Sequence, residues 1–314
     1  MKTIVGVSIG SSTRDHEVTT QILGEQYHIR RIGTDGSISK AIDLIKELDG
    51  KVDAFGIGGI DLYLSGADKK FMIKEAIPIV EAARKTPIVD GTGLKNTLEK
   101  SIIEYLNDQK IINFKNKNVL IVCAIDRFKM AEAFVHFGAN IVLGDLMFAL
   151  GIPVPIKSIQ MFKRVVRVLL PVVARLPYEL LYPVGKMQDK DINSKQHKFT
   201  KYYDEADIIA GDFLYIKKYL PESLKNKIII TNTVTSHDVA LLKKRGVSLL
   251  VTSTPELKGR SFGTNVMEAV LIAASGRRPE ELSVEDYHSL IKKMNLLPRI
   301  EYLQEQNMDR GKVL

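Results

Sequence analysis

Length, composition and charge set the first limits on this protein. The chain has 314 residues, 45% hydrophobic and 26% charged, which is typical of a globular protein with one or two domains. The formal net charge of +8 favours anionic partners, but no basic segment interleaved with aromatic residues indicates nucleic-acid binding. The single cysteine, Cys123, excludes an intramolecular disulfide and a cysteine-based zinc site, so we expect a reducing, cytoplasmic environment.

The first hundred residues alternate apolar strands with amphipathic helices. Their spacing predicts strands at Ile4 to Ser8, near Tyr27 to Ile32, at Val52 to Ile57 and at Pro87 to Val89, and helices at Ser39 to Leu48 and Ile73 to Arg84. Such alternation predicts a mainly parallel sheet with helices on both faces. We assign residues 1–93 to an N-terminal substrate domain, on which the C-terminal helices of residues 265–314 are candidates to pack back.

The second half of the chain contains a complete βαβ pattern. A linking helix at Leu94 to Asn107 precedes a strand at Val119 to Val122, a helix at Lys129 to Phe137 and a strand at Asn140 to Leu143. This order and length are typical of a Rossmann-like unit. The predicted fold class is therefore α/β, with an N-terminal parallel α/β domain and a Rossmann-like nucleotide-binding domain over residues 94–264.

A helical insert, residues 151–201, interrupts the second domain. Its part from residue 157 to residue 181 is strongly apolar, yet it carries several basic residues and two prolines. These are Lys157, Lys163, Arg164, Arg167, Arg175, Pro171 and Pro177. Three interpretations stay open: contact with an anionic membrane surface, burial in a homodimer, or ordinary helical packing.

The turn after the Val119 strand occupies the place of a Rossmann phosphate loop. Its residues, the predicted cofactor-binding set, are Cys123, Ala124, Ile125, Asp126 and Arg127. Such a loop normally uses glycines to let its backbone amides approach a pyrophosphate, and those glycines are missing here. Asp126 would repel phosphate, although Arg127 could offset that charge.

Asp145 ends the second strand of this unit, twenty-two positions after Cys123. A carboxylate at this place accepts hydrogen bonds from ribose hydroxyls and favours NAD over NADP. Alternatively, Asp145 caps a turn. Thr231, at the end of a later strand, completes the predicted cofactor site in this half of the chain.

Candidate substrate and catalytic residues lie in loops that follow strands of the first domain. Asp90 stands just before the linking helix, where a carboxylate can act as a general acid or base with Lys95, or can cap an Asp-Gly turn. The hydroxyl-rich loop after the first strand can bind a carboxylate or phosphate, or can serve as an N-cap. The predicted substrate-binding residues are Ser11, Ser12, Arg14 and Asp61.

Taken together, these features resemble the shikimate and quinate 5-dehydrogenase family. The resemblance implies that Ser11 and Ser12 hold a substrate carboxylate and that Asp90 partners a lysine in proton transfer. It also implies that Gly263 to Met267, with Gly263 and Asn265 foremost, line the nicotinamide. The Val-Thr-x-Pro-x-Lys stretch of that family is missing, so Lys95 is the candidate lysine.

The sequence thus predicts an NAD(P)-dependent oxidoreductase that acts on a hydroxyl or carbonyl of a small anionic, carboxylated substrate. NAD is the expected cofactor, with NADP disfavoured by Asp145. The alternative is a non-catalytic nucleotide- or small-ligand-binding protein with a degenerate dehydrogenase fold, which the missing glycines and the missing lysine motif favour.

Overall fold

The computed structural model describes residues 1–66, 69–173, 198–258 and 260–304. These residues form two compact units, each assembled from separate stretches of the chain. Among the described residues, the first unit contains 1–97, 168–173 and 262–296, and the second contains 98–167, 198–261 and 297–304. The predicted helical insert is described only in part, because residues 174–197 lie outside these ranges.

The helices and strands alternate along most of the chain. The first 108 residues form β1 (Lys2–Ser8), β2 (His16–Ile22), β3 (Glu25–Gly33), α1 (Ile38–Leu48), β4 (Ala54–Gly58), β5 (Tyr63–Gly66), β6 (Lys69–Met72), α2 (Ile77–Glu81), β7 (Ile88–Val89) and α3 (Thr92–Asp108). The middle of the chain forms β8 (Asn118–Ile121), α4 (Phe128–His136), β9 (Asn140–Leu143), α5 (Asp145–Phe148), α6 (Ile159–Val173), α7 (Thr200–Glu205), β10 (Ile208–Gly211) and α8 (Phe213–Lys218). The remainder forms β11 (Ile228–Thr231), α9 (Ser236–Lys244), β12 (Leu249–Thr252), β13 (Glu256–Leu257), β14 (Arg260–Ser261), α10 (Thr264–Ser275), α11 (Val284–Lys293) and β15 (Arg299–Tyr302).

The first unit is built on a five-stranded sheet in the order β2-β3-β1-β4-β7. All neighbouring strands are parallel except β2 and β3, which form an antiparallel hairpin. The last five residues of β1 and the first four of β4 are buried without interruption. Such continuous burial is typical of strands covered on both faces, and it explains why these strands read as apolar runs rather than as alternating ones.

Strand β2 was not predicted, because its sequence is polar at most positions. Within it Val18 is buried, whereas Glu17 and Thr19 are exposed, so the strand alternates between a covered and a solvated face. Leu23 and Gly24 join it to β3 with φ values of 51° and 84°. Two consecutive residues with positive φ are the geometry of a tight hairpin turn, which fixes the register of β2 on β3.

The second unit is built on a six-stranded sheet in the order β15-β12-β11-β10-β8-β9. Its strands are parallel except for β15, which pairs antiparallel with β12 at one edge. The parallel strands follow the doubly wound order 2-1-3-4-5, whereas classic dinucleotide-binding domains have the order 3-2-1-4-5-6. The prediction of an α/β protein with mainly parallel sheets is confirmed.

Helix α6 is the main described part of the predicted insert. Its buried residues Phe162, Val166 and Leu170 are spaced four residues apart and therefore form one apolar stripe. The Phe162 ring stacks on Phe128, with 5.7 Å between the ring centroids. Among the described residues, no helix is long and apolar enough to cross a membrane.

A buried ion pair connects three elements of the second unit. Arg127, which precedes α4, donates to Glu99 of α3, and both side chains are 1% exposed. A second contact of 3.6 Å joins the Arg127 guanidinium to Asp212, the residue after β10. Burial alone would lower the pKa of Arg127, but the nearby Glu99 and Asp212 carboxylates outweigh it, so this pKa is raised.

We expect Arg127→Met to lower the free energy of unfolding by about 3–5 kcal/mol, because it removes the positive charge that faces the buried Glu99 carboxylate. The double variant Arg127→Met with Glu99→Met should recover most of this loss, since it removes both charges. Urea denaturation followed by circular dichroism measures the change. The control is Lys201→Met, which breaks an exposed Lys201–Glu205 pair of 3.7 Å and should cost less than about 0.5 kcal/mol. Equal effects of the two single variants would contradict the assignment.

Candidate functional site

The carboxyl ends of four strands meet at one edge of the first sheet. Because β3, β1, β4 and β7 are parallel, the loops after Gly33, Ser8, Gly58 and Val89 all leave the sheet at this edge. From β1 the chain continues to β2 and β3 on one side, and from β4 it continues to β7 on the other. Such a switch point between β1 and β4 is where open α/β sheets bind ligands.

A buried ion pair lies at this switch point. The Lys95 ammonium donates to the Asp61 carboxylate over 2.8 Å, with side chains only 11% and 10% exposed. Asp61 follows β4 by three residues, and Lys95 is in the first turn of α3. A lysine near the positive end of a helix dipole is unfavourable, and removing both charges from water offers little net stability. Stability alone therefore does not account for this pair, which makes it the leading functional candidate.

Asp90 connects the loop of Asp61 to the start of α3. One of its carboxylate oxygens accepts the Leu62 amide at 2.8 Å and the other accepts the Thr92 amide at 2.9 Å. Asp90 thus caps α3 and holds the backbone beside Asp61 in place. Its catalytic role, like that of Lys95, stays a prediction.

The first turn of α10 reaches the same edge. A side-chain carbon added to Gly56 would lie 2.6 Å from the Asn265 carbonyl oxygen, so glycine is required there for the close approach of the helix. A carbon added to Gly58 would lie 3.1 Å from the Asn265 amide nitrogen and 3.1 Å from the Ser8 hydroxyl. Asn265 therefore joins Ser8 at the ends of β1 and β4, and Gly263 is the residue that caps α10.

The loop after β1 is held mainly by acidic side chains. The Ser12 amide and hydroxyl both donate to Asp35, over 2.8 and 2.9 Å. The Ser11 hydroxyl lies 2.8 Å from that of Thr13, and Ser11 itself is buried. The two predicted substrate hydroxyls thus contact the protein itself in this structure.

Arg31 stabilises the same loop from β3. Its guanidinium donates to Asp15, to the Ser8 hydroxyl and to the Ser11 carbonyl, over 2.7, 2.9 and 3.0 Å. Burial, together with the neighbouring positive charge of Arg14, lowers the pKa of Arg31 to about 10. Arg14 is therefore close enough to influence this cluster, and it is half-buried.

Glu268 is a functional candidate that the sequence-based reasoning missed. It lies in the apolar helix α10, is 3% exposed, and accepts a 2.5 Å hydrogen bond from the Tyr287 hydroxyl through Oε1. No described residue donates to its other oxygen. Burial raises the pKa of Glu268 to about 7, a shift that Tyr287 opposes and Asp90 adds to. A lone glutamate in an otherwise apolar helix was the signal available in the sequence.

The turn after β8 explains why the predicted NAD cofactor is wrong. The Asp145 carboxylate accepts the Ala124 amide at 3.0 Å and the Ile125 amide at 2.9 Å. These are the amides that would have to donate hydrogen bonds to a pyrophosphate, and they already donate to the Asp145 carboxylate. Burial of this carboxylate raises the pKa of Asp145 to about 6, although the two amides oppose the shift. Asp145 therefore caps this turn rather than facing a ribose.

The remaining residues of the predicted cofactor set have partners within the fold. Cys123 is buried, which raises the pKa of its thiol, and Arg127 contacts Glu99 and Asp212. Asp126 is half-buried and adds negative charge beside the turn. Thr231 is fully buried and donates to the Gly211 carbonyl at 2.7 Å. Gly263 and Asn265 belong to the first unit, whereas the other members belong to the second.

Two family models match the chain, and both describe domains of unknown function. The model DUF8753 covers residues 3–90, and the model DUF8754 covers residues 93–303, which is more than half of the chain. This protein belongs to the DUF8754 family. A comparison with curated proteins finds no significant match to this DUF8754 chain.

Several solved structures are similar to the DUF8754 chain at low identity. A sugar ABC transport substrate-binding protein from Bordetella parapertussis has 10% identity, a TM-score of 0.38 and coverage of 100% of this chain and 92% of that one. A 5-methylthioribose solute-binding protein from Thermotoga lettingae has 12% identity, a TM-score of 0.37 and coverage of 96% and 87%. Glutamate dehydrogenase from Thermus thermophilus has 11% identity, a TM-score of 0.42 and coverage of 94% and 74%. With TM-scores below 0.5, none of these likenesses carries a conclusion about the ligand of this chain.

The expected membership of the shikimate and quinate 5-dehydrogenase family is wrong. The family models that match the chain, over residues 3–90 and 93–303, are both domains of unknown function and not that family. The predicted NAD-dependent oxidoreductase function is wrong with it, and Asp145 on the Ala124 and Ile125 amides is the physical reason.

We expect Glu268→Gln to remove part of the loss of stability at rising pH. The folded state raises the pKa of Glu268 from 4.5 to about 7, so its contribution is complete below pH 4.5 and is lost as the pH rises through 7. Glutamine cannot ionise. The free energy of unfolding of the variant should therefore exceed that of the wild type by about 1–3 kcal/mol at pH 8, and the two should differ little at pH 5.

Urea denaturation at several pH values measures this difference. The control, Glu280→Gln, changes a glutamate whose side chain is 68% exposed and should leave the pH profile unchanged. A Glu268→Gln profile parallel to that of the wild type would contradict the raised pKa.

Proposed function

We propose that this protein binds a small hydroxylated ligand at the carboxyl edge of the first sheet, without redox chemistry. The observation that supports this most is the buried Asp61–Lys95 pair at the switch point between β1 and β4. A ligand there adds hydrogen bonds to two charged groups whose burial costs free energy, and so helps to offset that cost.

The polar groups at this edge suit a ligand that both donates and accepts hydrogen bonds. The Asp61 carboxylate accepts from a hydroxyl hydrogen, the Lys95 ammonium donates to a hydroxyl oxygen, and the Asn265 amide can do either. Charge-assisted hydrogen bonds of this kind are about twice as strong as neutral ones. Neighbouring hydroxyl groups on one small molecule suit such a mixture of donors and acceptors.

The balance of charge favours a neutral ligand over the anionic one expected from the sequence. Asp61 and Asp90 are both buried near Lys95, and Glu268 is a third carboxyl group whose electrostatic effect reaches Asp90 and Lys95. A ligand carboxylate would be attracted by one ammonium group but would meet several carboxyl groups beside it, which disfavours a further negative charge. A neutral polyol avoids this repulsion.

Thermal unfolding in the presence of three ligand classes tests the proposal: neutral sugars and polyols, hydroxycarboxylates, and NAD as a negative control. We expect at least one neutral polyol to raise the unfolding temperature, because a ligand that binds only the folded state stabilises it by mass action. Asp61→Asn and Lys95→Met should each weaken the binding of that ligand about 10- to 100-fold, as expected for losing a charge-assisted hydrogen bond.

The matched controls are Asp43→Asn and Lys100→Met, which change exposed residues of α1 and α3. Both should bind the ligand as the wild type does. The proposal fails if no polyol stabilises the protein, or if Asp61→Asn and Lys95→Met bind as tightly as the controls. A shift with hydroxycarboxylates alone would keep the site but replace the neutral ligand with an anionic one.

A further inference from the structure

One stretch of the chain carries positive charge without any negative charge. Residues 146–178 contain five lysines and arginines and no aspartate or glutamate, although 37 of the 314 residues of the chain are acidic. Four of the five basic residues lie in the described part: Lys157, Lys163, Arg164 and Arg167. All four are exposed, so this charge faces solvent.

Large apolar side chains are exposed in the same stretch. Ile152 and Val154, in the loop before α6, are 45% and 42% exposed, and Met161 of α6 is 44% exposed. Val168 of the same helix is 71% exposed, the largest exposure among the internal apolar residues of the described chain. Four exposed apolar residues in one short stretch of the chain exceed the single exposures that are normal on a surface, and such concentrations mark interaction surfaces.

The orientation of α6 places charge and apolar surface together. Its buried stripe of Phe162, Val166 and Leu170 turns the opposite side of the helix to solvent. Met161, Arg164 and Val168 are spaced three and four residues apart and so share that exposed side. Lys163 is partly neutralised by Glu132 at 3.8 Å, but no ion pair joins Arg164 or Arg167 to a described residue.

We propose that this face, formed by residues 150–168, docks the protein on an anionic lipid surface. Arginines and lysines near a membrane surface are attracted to acidic headgroups. Ile152, Val154 and Met161 then insert between the headgroups, which is how basic amphipathic segments lie on a bilayer. The positive charge of the face complements the acidic headgroups, and its aliphatic side chains complement the acyl chains beneath them.

Other occupants match this face less well. A second copy docked through the same face would place its arginines opposite those of the first, and like charges in contact are unfavourable. Single-stranded nucleic acid is bound with aromatic side chains that stack on bases, whereas the exposed apolar residues here are aliphatic. An anionic bilayer satisfies both the charge and the aliphatic surface.

Tryptophan fluorescence tests this directly, because the chain contains no tryptophan. The variant Ile152→Trp places the only indole in the patch, and Leu297→Trp, at a 42% exposed position outside the patch, is its control. With vesicles of phosphatidylcholine and about 30% phosphatidylglycerol, the emission of the Ile152→Trp variant should shift to shorter wavelength, while that of the Leu297→Trp variant does not. Pure phosphatidylcholine vesicles, or about 0.5 M NaCl, should abolish the shift.

Charge reversal identifies the residues responsible. Adding Arg164→Glu and Arg167→Glu to the Ile152→Trp variant should weaken vesicle binding by at least about tenfold. Adding Lys115→Glu and Lys225→Glu, which reverses the same amount of charge at exposed positions elsewhere, should leave binding nearly unchanged. Sedimentation of the wild type with anionic and with neutral vesicles compares the same binding without an introduced tryptophan. Circular dichroism verifies that each variant is folded.

Four results would overturn the proposal. These are the absence of any shift with anionic vesicles, an equal shift with neutral vesicles, equal binding by the two charge-reversed proteins, and a shift without lipid that grows with protein concentration. The last result would identify a homodimer interface instead. An emission shift with RNA but not with anionic vesicles would also overturn the proposal, because it would identify a nucleic-acid partner instead.

Discussion

The ion pair between Asp61 and Lys95 is the constraint around which the first unit is arranged. A buried pair of charges is tolerated only if its geometry is good and its surroundings are polar, and the neighbouring residues meet that demand. Asp90 fixes the backbone on both sides of the pair, and the glycines of β4 let the start of α10 approach. The cost of burying charge thus explains why so much polar structure is concentrated at one edge of a sheet.

The second unit also buries charged groups, and their partners are other residues of the same unit. Its phosphate-loop position carries a carboxylate of its own, Asp145, where a nucleotide-binding protein would leave amides free for its ligand. Arg127 likewise forms ion pairs with Glu99 and Asp212. In this βαβ unit the Ala124 and Ile125 amides, which would bind a phosphate in a nucleotide-binding domain, are already bonded to Asp145.

The two proposals of ligand binding and lipid binding rest on separate features of the molecule. The first depends on buried charge at the edge of the first sheet, and the second depends on exposed charge and exposed apolar surface along residues 150–168. In a globular protein, buried ion pairs and exposed aliphatic patches are each uncommon for the same reason. Both cost free energy in the isolated folded chain, and a partner can offset that cost.

The sequence by itself determined the α/β class and the mainly parallel sheets. Periodic apolar runs were enough to locate strands such as β9 (Asn140–Leu143) and helices such as α1 (Ile38–Leu48), because hydrophobic periodicity reflects local burial. The polar strand β2 was missed because its stability comes from pairing with β3 rather than from its own pattern. Turn chemistry at Leu23-Gly24 was the signal that could have found it.

Only the tertiary structure decided which polar residues act together. The sequence analysis paired Lys95 with Asp90 and kept Asp61 as a substrate-binding candidate, and nothing in their spacing showed that Asp61 rather than Asp90 pairs with the lysine. Asp145 was read as a ribose ligand because its position along the chain fits that role, yet its carboxylate turns back onto the Ala124 amide. Side-chain partners across a sheet edge depend on the packing of distant segments, which local sequence patterns do not encode, whereas the alternation of helices and strands is encoded locally.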